Sequence, residues 1–380
     1  MLQSEIMMSP NHDITFEFHK PIYGANPMQY QVFGKTGISI PPIIFGTSCL
    51  GNLFTPLPHD VKLKIIKEMF AHSHGIVVMD SAGKYGAGLA LEVIGKGLKK
   101  LGIHPENVII SNKLGWLRIP LKSSEPTFEP GVWMGLEHDA IQKISYEGIL
   151  ECWEQGCELL GEDYHAQLLS VHDPDEYLDN AGNERERADR FKQITGAYQA
   201  LIELKKSNKI QAVGVGAKDW KVIREIIQKI DLDWVMIANS FTIYHHPSEL
   251  MDFIDELHRN HVGIINSAVF HAGFLAGGKY FDYRVLNPAN ETDKSIYKWR
   301  DSFFTLCDKF NVLPATACVQ FALSHPGVQS VALNTSKPDR IKENVAMATA
   351  EIPDAFWRKL KNEGLISQDY TWIDKMWNDT

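Results

Sequence analysis

Four side chains in this sequence are of types that together could move a proton to or from a carbonyl or carbinol oxygen: Asp80, Tyr85, Lys113 and His172. A tyrosine serves as a general acid or base only when its pKa falls well below about 10. A neighbouring ammonium achieves this by stabilising the phenolate, and a buried carboxylate keeps the ammonium charged and in place. A neutral histidine can donate a hydrogen bond that orients a substrate oxygen. Hydride exchange with a nicotinamide cofactor would complete an oxidation or a reduction. Taken singly, each residue has a plainer reading. Lys113 resembles a surface lysine whose stem lies along apolar neighbours, and His172, just before Asp173-Pro174, resembles the cap of a loop.

The plainer readings weaken once the elements that carry these residues are considered. Each follows or closes a short apolar run, as expected for a buried strand. Strands are expected at 43–46, 77–80, 108–112, 167–172, 212–216, 234–238, 263–267 and 329–333. Between them lie segments with apolar residues at helical spacing, such as Val61, Ile65, Ile66, Met69 and Phe70. Continuous apolar strands alternating with amphipathic helices indicate a parallel sheet covered by helices. Eight such units fit a closed (β/α)8 TIM barrel, an α/β fold whose strand ends converge on one rim. Residues 29–33 and 38–40 flank Gly34-Lys35-Thr36-Gly37 and predict an N-terminal β-hairpin. Two long segments, 117–145 and 272–297, leave from strand C-terminal ends and read as loops over the functional face. The expected organisation is an irregular N-terminal arm over 1–28, a barrel over 29–350 and a C-terminal tail packing on it over 351–380.

Composition narrows the function classes. The chain has 380 residues, of which 44% are hydrophobic and 22% charged, in the range of ordinary globular proteins. A net charge of −9 argues against nucleic acid or an anionic membrane as partner. The five cysteines form no CxxC pair, so neither a disulfide framework nor a zinc site is expected. With no secretory signal and no apolar run long enough to span a bilayer, a cytoplasmic location is expected. There is no GxGxxG, and no tyrosine is followed four residues later by a lysine. His245-His246-Pro247 lacks companions at ligand spacing and reads as a polar loop, so no metal is expected.

Asp80-Ser81-Ala82 with Tyr85-Gly86, then Ser111-Asn112-Lys113, then Val171-His172-Asp173-Pro174, resembles the tetrad signature of the aldo-keto reductase superfamily. The hairpin, Phe45-Gly46-Thr47 and the run Arg340 to Asn344 resemble that family too. The resemblance covers about residues 29 to 350. It implies that Tyr85 is the acid/base, that Lys113 and Asp80 tune it, and that His172 orients the substrate. It also implies cofactor contacts from Gly216, Asn239, Gly273, Phe274, Leu275, Asn334, Arg340 and Asn344. The phrase Asn266 to Leu275 is similar to the seventh-strand exit of bacterial L-fucose or D-threo-aldose 1-dehydrogenases. The chain departs from the family where Gly216-Ala217 replaces a common Ser-Asn, and where Asn239-Ser240 replaces Asn-Gln.

The resemblance thus implies a nicotinamide-dependent oxidoreductase acting on a small molecule, an aldose oxidised at C1 to its lactone. Trp116, together with His172, is the expected substrate contact, and Trp133 on the long loop adds a second aromatic face. Alternatives are an aldehyde reductase or pyridoxal dehydrogenase with the same tetrad, and a cofactor-binding sensor barrel without turnover. A (β/α)8 hydrolase would need a second acidic residue at a neighbouring strand end, which the expected strands lack. Asn334 stands where a lysine is common in the segment that grips the adenosine 2′-phosphate. NAD is therefore expected to serve at least as well as NADP.

Overall fold

The computed structural model describes residues 30–375 apart from residue 283, so the expected arm over 1–28 lies outside the described residues. Eight parallel strands close into a barrel in chain order. They are β1 (Ile43–Gly46), β2 (Val77–Ala82), β3 (Val108–Leu114), β4 (Leu168–His172), β5 (Ala212–Ala217), β6 (Trp234–Ala238), β7 (Gly263–Ser267) and β8 (Ser330–Leu333). β8 pairs back onto β1, with Val331 opposite Ile43. Helices cover the outside, among them His59–Ala71, Leu89–Lys100, Tyr146–Leu160, Glu184–Lys206, Trp220–Ile227, Ser248–Arg259, Glu291–Phe310 and Pro314–Leu323. Local chemistry starts several of them. Ser145 and Asn183 each accept a 3.0 Å hydrogen bond from the backbone N–H three residues on, satisfying a donor that the first helical turn leaves unpaired.

The strands are apolar on both faces because both are buried. In β5, Val213 and Val215 face the helices, while Gly214 and Gly216 face the lumen. The lumen glycines make room for large neighbours. A Cβ on Gly214 would lie 2.3 Å from the Trp234 ring, and one on Gly216 would lie 2.9 Å from Cδ of Lys113. The floor of the barrel is closed by the hairpin, whose strands Gln31–Val32 and Ser39–Ile40 pair antiparallel. Its buried Phe33, Ile38 and Ile40 join Ile44, Val78, Ile109, Leu168 and Trp234 in one cluster. Phe33 packs on Trp234 with ring centroids 6.0 Å apart.

The long segments are more ordered than expected of loops. Trp116–Pro120 and His138–Gln142 form an antiparallel ribbon, with Trp116 opposite Gln142. Prolines and charges hide these short strands, and pairing with each other rather than with the barrel is what forms them. The second excursion holds a 3-10 turn at Phe274–Ala276 and a paired Tyr280–Phe281 and Arg284–Val285. The helix expected over 299–310 begins earlier, at Glu291, where the Asn290 side chain caps it. Among the described residues no helix is long and apolar enough to cross a membrane.

The C-terminal tail returns to the barrel and is fastened there. Tyr370 is buried against Phe241 and Phe321, and its hydroxyl shares a 2.6 Å hydrogen bond with Ser324. His246 accepts from the Ser367 N–H at 3.0 Å and contacts the Thr242 carbonyl through Nδ1, also at 3.0 Å. The ring must stay neutral to accept, and burial drives its pKa down to about 4 from an ordinary 6.5. A folded-state pKa below the unfolded one means that the unfolded chain takes up the proton first. Stability is therefore full above pH 6.5 and lost as pH falls towards 4, by up to about 3 kcal/mol from this group. Urea denaturation across that interval is expected to show a falling midpoint. In His246→Gln the fall should be shallower, from a lower starting stability, because His172 and His245 are depressed as well.

Candidate active site

The register of the barrel sets the layer in which the polar side chains meet. Asp80 of β2 lies opposite Ser111 of β3, Lys113 opposite Ser170 of β4, and His172 opposite Gly216 of β5. Alternate residues of a barrel strand face inward, so Asp80, Lys113, His172 and Gly216 share the lumen near the strands' C-terminal ends. The Lys113 ammonium donates to Asp80 Oδ2 at 2.5 Å, with only 2% and 3% of the two side chains exposed. Ser111 Oγ donates to the other carboxylate oxygen at 3.1 Å. The pair is thus closed off from water but fully engaged, as a buried charge requires.

Tyr85 arrives from the loop after β2. The Lys113 ammonium stands 4.7 Å from its ring centroid. The His172 ring meets it edge-on at 5.7 Å, and Trp133 lies against it at 5.8 Å. Burial, reinforced by the Lys113 and Lys84 ammoniums, holds the His172 pKa well below its ordinary value, so the imidazole is neutral. Asp173 Oδ2 lies 3.5 Å from Nε2, which favours the tautomer with its proton there. Nδ1 is buried and has no hydrogen-bond partner among the described residues. The four expected tetrad residues are therefore together.

They stand at the inner end of a cleft of about 740 Å³ that runs across the barrel mouth. Gly216, Asn239, Gly273, Asn334 and Arg340, which the resemblance implies as cofactor contacts, all line it. Phe274, Leu275 and Asn344 do not line it; all three are buried, with Phe274 and Leu275 in the core beneath the β7 exit. Trp116 is likewise not a lining residue. It sits behind the wall, packed on Phe128 at 5.7 Å and under the Lys84 ammonium at 5.2 Å, while Trp133 takes the lining position.

The outer end of the cleft suits a dinucleotide phosphate. Lys337 and Arg340 line it and form no ion pair among the described residues. Asn334 Oδ1 is engaged by the Cys49 N–H at 3.3 Å. Asn239, with φ +60, donates to Asp282 at 2.9 Å and so is held at the cleft edge. The cleft is walled in part by small residues, Gly216, Ala217, Ala238 and Ala268, which leave room for a flat ring. The donor set and the space thus fit a nicotinamide dinucleotide.

Sequence reasoning missed the side chain next to Tyr85. Lys84 is buried, and its ammonium contacts Glu129 at 2.8 Å, Asp173 at 3.0 Å and Glu176 at 3.2 Å. Burial alone would lower its pKa, and the Asp173, Glu129 and Glu176 carboxylates more than reverse this. The available signal was a lysine between two glycine-rich turns at the same rim as Asp173-Pro174-Asp175-Glu176. Glu129 also accepts from the Trp133 indole N–H at 2.7 Å. One ammonium thereby ties the Tyr85 loop, the β4 exit and the long loop together.

Comparison with known proteins agrees with this geometry. The profile described as Aldo/keto reductase family matches residues 42–363. A pyridoxal 4-dehydrogenase from Microbacterium luteolum is 27% identical over 351 residues, covering 89% of this chain and 98% of the relative. A D-threo-aldose 1-dehydrogenase from Pseudomonas sp is 26% identical over 346 residues, covering 87% and 96%. An aldo-keto reductase from Bacillus halodurans, solved in its holo form, superposes with a TM-score of 0.64 at 20% identity, over 90% of this chain and 97% of that one. At that identity the superposition speaks for the fold.

The close approach at Gly216 yields a test of the site. An alanine there would push on Cδ of Lys113, whose far end is anchored at Asp80, so the ammonium would move from Tyr85. Gly216→Ala is expected to lower kcat by about tenfold or more, since misplacement by about 1 Å can cost 10²-fold. The accompanying loss of stability should be about 1–3 kcal/mol, as for other overpacked cores. Steady-state kinetics beside thermal denaturation check this; unaltered kcat would remove the packing argument.

Proposed function

This chain belongs to the aldo/keto reductase family and is a nicotinamide-dependent oxidoreductase, and we propose that it oxidises an aldose, as its cyclic hemiacetal, at C1 to the lactone. The observation that carries the reading is the joint placement of the Lys113–Asp80 pair, Tyr85 and a neutral His172 around one end of the cleft. A nicotinamide held in the cleft would supply the acceptor for the hydride of C1. Tyr85, as phenolate, takes the proton of the C1 hydroxyl, so that the C–O bond becomes a carbonyl. Lys113 favours the phenolate through its nearby charge, and Asp80 keeps that charge oriented. His172 donates to the same oxygen and aligns it with Tyr85. Asn239, Gly216 and Asn334 along the channel, with Arg340 at its outer end, are the residues proposed to hold the dinucleotide.

The hemiacetal reading has two supports besides the tetrad. The Tyr85 and Trp133 rings offer an aromatic face that suits the C–H face of a pyranose, and the charged side chains Lys84, Glu129 and Asp173 line the same cleft beside them. Similarity to a D-threo-aldose 1-dehydrogenase points the same way. Pyridoxal is a second reading, favoured by the flat aromatic wall and by similarity to a pyridoxal 4-dehydrogenase.

A panel of aldoses, pyridoxal and simple aldehydes, followed by cofactor absorbance, tests the function. At least one aldose is expected to be turned over, and Tyr85→Phe to lower its kcat by about 10² or more with cofactor affinity nearly unchanged. Turnover of pyridoxal or aldehydes with none of any aldose would overturn the sugar reading while leaving the tetrad chemistry standing.

Cofactor preference rests on the outer end. With Asn334 neutral, NAD is expected to be used at least as well as NADP. Lys337, which lines the cleft beside Arg340, supplies the second cation for whatever NADP use there is. Lys337→Ala is therefore expected to raise KM for NADP several-fold and leave KM for NAD unchanged, within the roughly 1.5–3 kcal/mol of a charge-assisted contact. Equal effects on the two cofactors would take Lys337 out of phosphate recognition.

A further inference from the structure

Lys84 has three N–H donors and three carboxylate acceptors within 3.2 Å, Glu129, Asp173 and Glu176, so its donor capacity is filled within the protein. It acts as a hub that holds those carboxylates in place. The Lys218 ammonium joins the same group through Glu176. Even so, the carboxylates outnumber the ammoniums. Of the group, Lys84, Glu129, Asp173 and Lys218 line the cleft beside Tyr85, Trp133 and His172. Asp173 accepts from Lys84 through one oxygen, Oδ2, at 3.0 Å. The Asp173 backbone has φ +49, a left-handed conformation that costs most residues free energy but suits Asp and Asn. It turns the side chain back beside His172 at the β4 exit.

We propose that Asp173, with Glu129 beside it, forms the hydroxyl-recognising half of the substrate subsite, Trp133 being the stacking half. This deepens the aldose reading and rests on it. Ionised carboxylates accept hydrogen bonds and donate none. The subsite therefore selects a ring bearing O–H donors next to the reacting carbon. Because Lys84 is bonded to both carboxylates while its neighbour Tyr85 is the acid/base, a ring hydroxyl seated on Asp173 is placed relative to Tyr85 by a single short segment of chain. The same hub fixes Trp133 through Glu129.

The experiment compares the best neutral aldose and each of its monodeoxy analogues, with the wild type and with Asp173→Asn. Asparagine tolerates the left-handed backbone and still offers Lys84 an acceptor. In the wild type, one deoxy analogue should lose about tenfold or more in kcat/KM. In Asp173→Asn the parent aldose should fall by a similar factor, chiefly in KM, while that same deoxy analogue loses nothing further. Quenching of tryptophan fluorescence by the reduced cofactor should be unaltered. An equal loss for every analogue would mean that Asp173 acts only by positioning His172, and would overturn the proposal with the aldose reading intact. Absence of turnover with any aldose, alongside turnover of pyridoxal or aldehydes, would overturn both. Should Asp173→Asn fail to fold, Glu129→Gln on the long loop takes its place, with a different deoxy analogue expected to be insensitive.

Discussion

The rest of the structure is built around one ion pair, Lys113 with Asp80, placed where water hardly reaches. A buried pair of this kind is a poor source of stability, because desolvating both ions offsets most of their attraction. Its presence makes demands on everything nearby. Ser111 must satisfy the second carboxylate oxygen, and β5 must present a glycine where the lysine stem crosses the lumen. The register must also bring residues from neighbouring strands into one layer. The barrel supplies these conditions because its inward positions recur every second residue and its strand ends meet at one rim. The charge lies beside a phenol that could use it.

Much of this was legible in the sequence. The eight strands stood out because strands buried on both faces read as unbroken apolar runs, and the tetrad stood out because charged and phenolic residues ended those runs. What remained hidden depended on partners distant in the chain. Lys84 carries no local mark that it will meet Glu129, Asp173 and Glu176. The ribbon of 116–120 with 138–142 has too little apolar alternation to announce itself. Trp116 and Trp133 are the same residue type on the same excursion, yet ribbon pairing turns one behind the wall and leaves the other on it. Phe274 and Leu275 were expected cofactor contacts by motif, and the turn at the β7 exit folds their side chains into the core.

Gly214 and Gly216 illustrate how the same letters change meaning with context. In sequence they are a fragment of a phosphate-binding glycine motif. In the barrel they mark, two residues apart on the inner face of one strand, the places of two bulky neighbours: Trp234 towards the floor and Lys113 towards the mouth. The glycine at position 216 thus leaves open the path that the Lys113 stem takes.

The hairpin that closes the floor has a consequence for traffic. With Phe33, Ile38 and Ile40 filling the lower opening, the described residues leave the barrel open at its mouth, where the cleft lies. Both reactants would then share that mouth, and the one seated deeper would lie beneath the other.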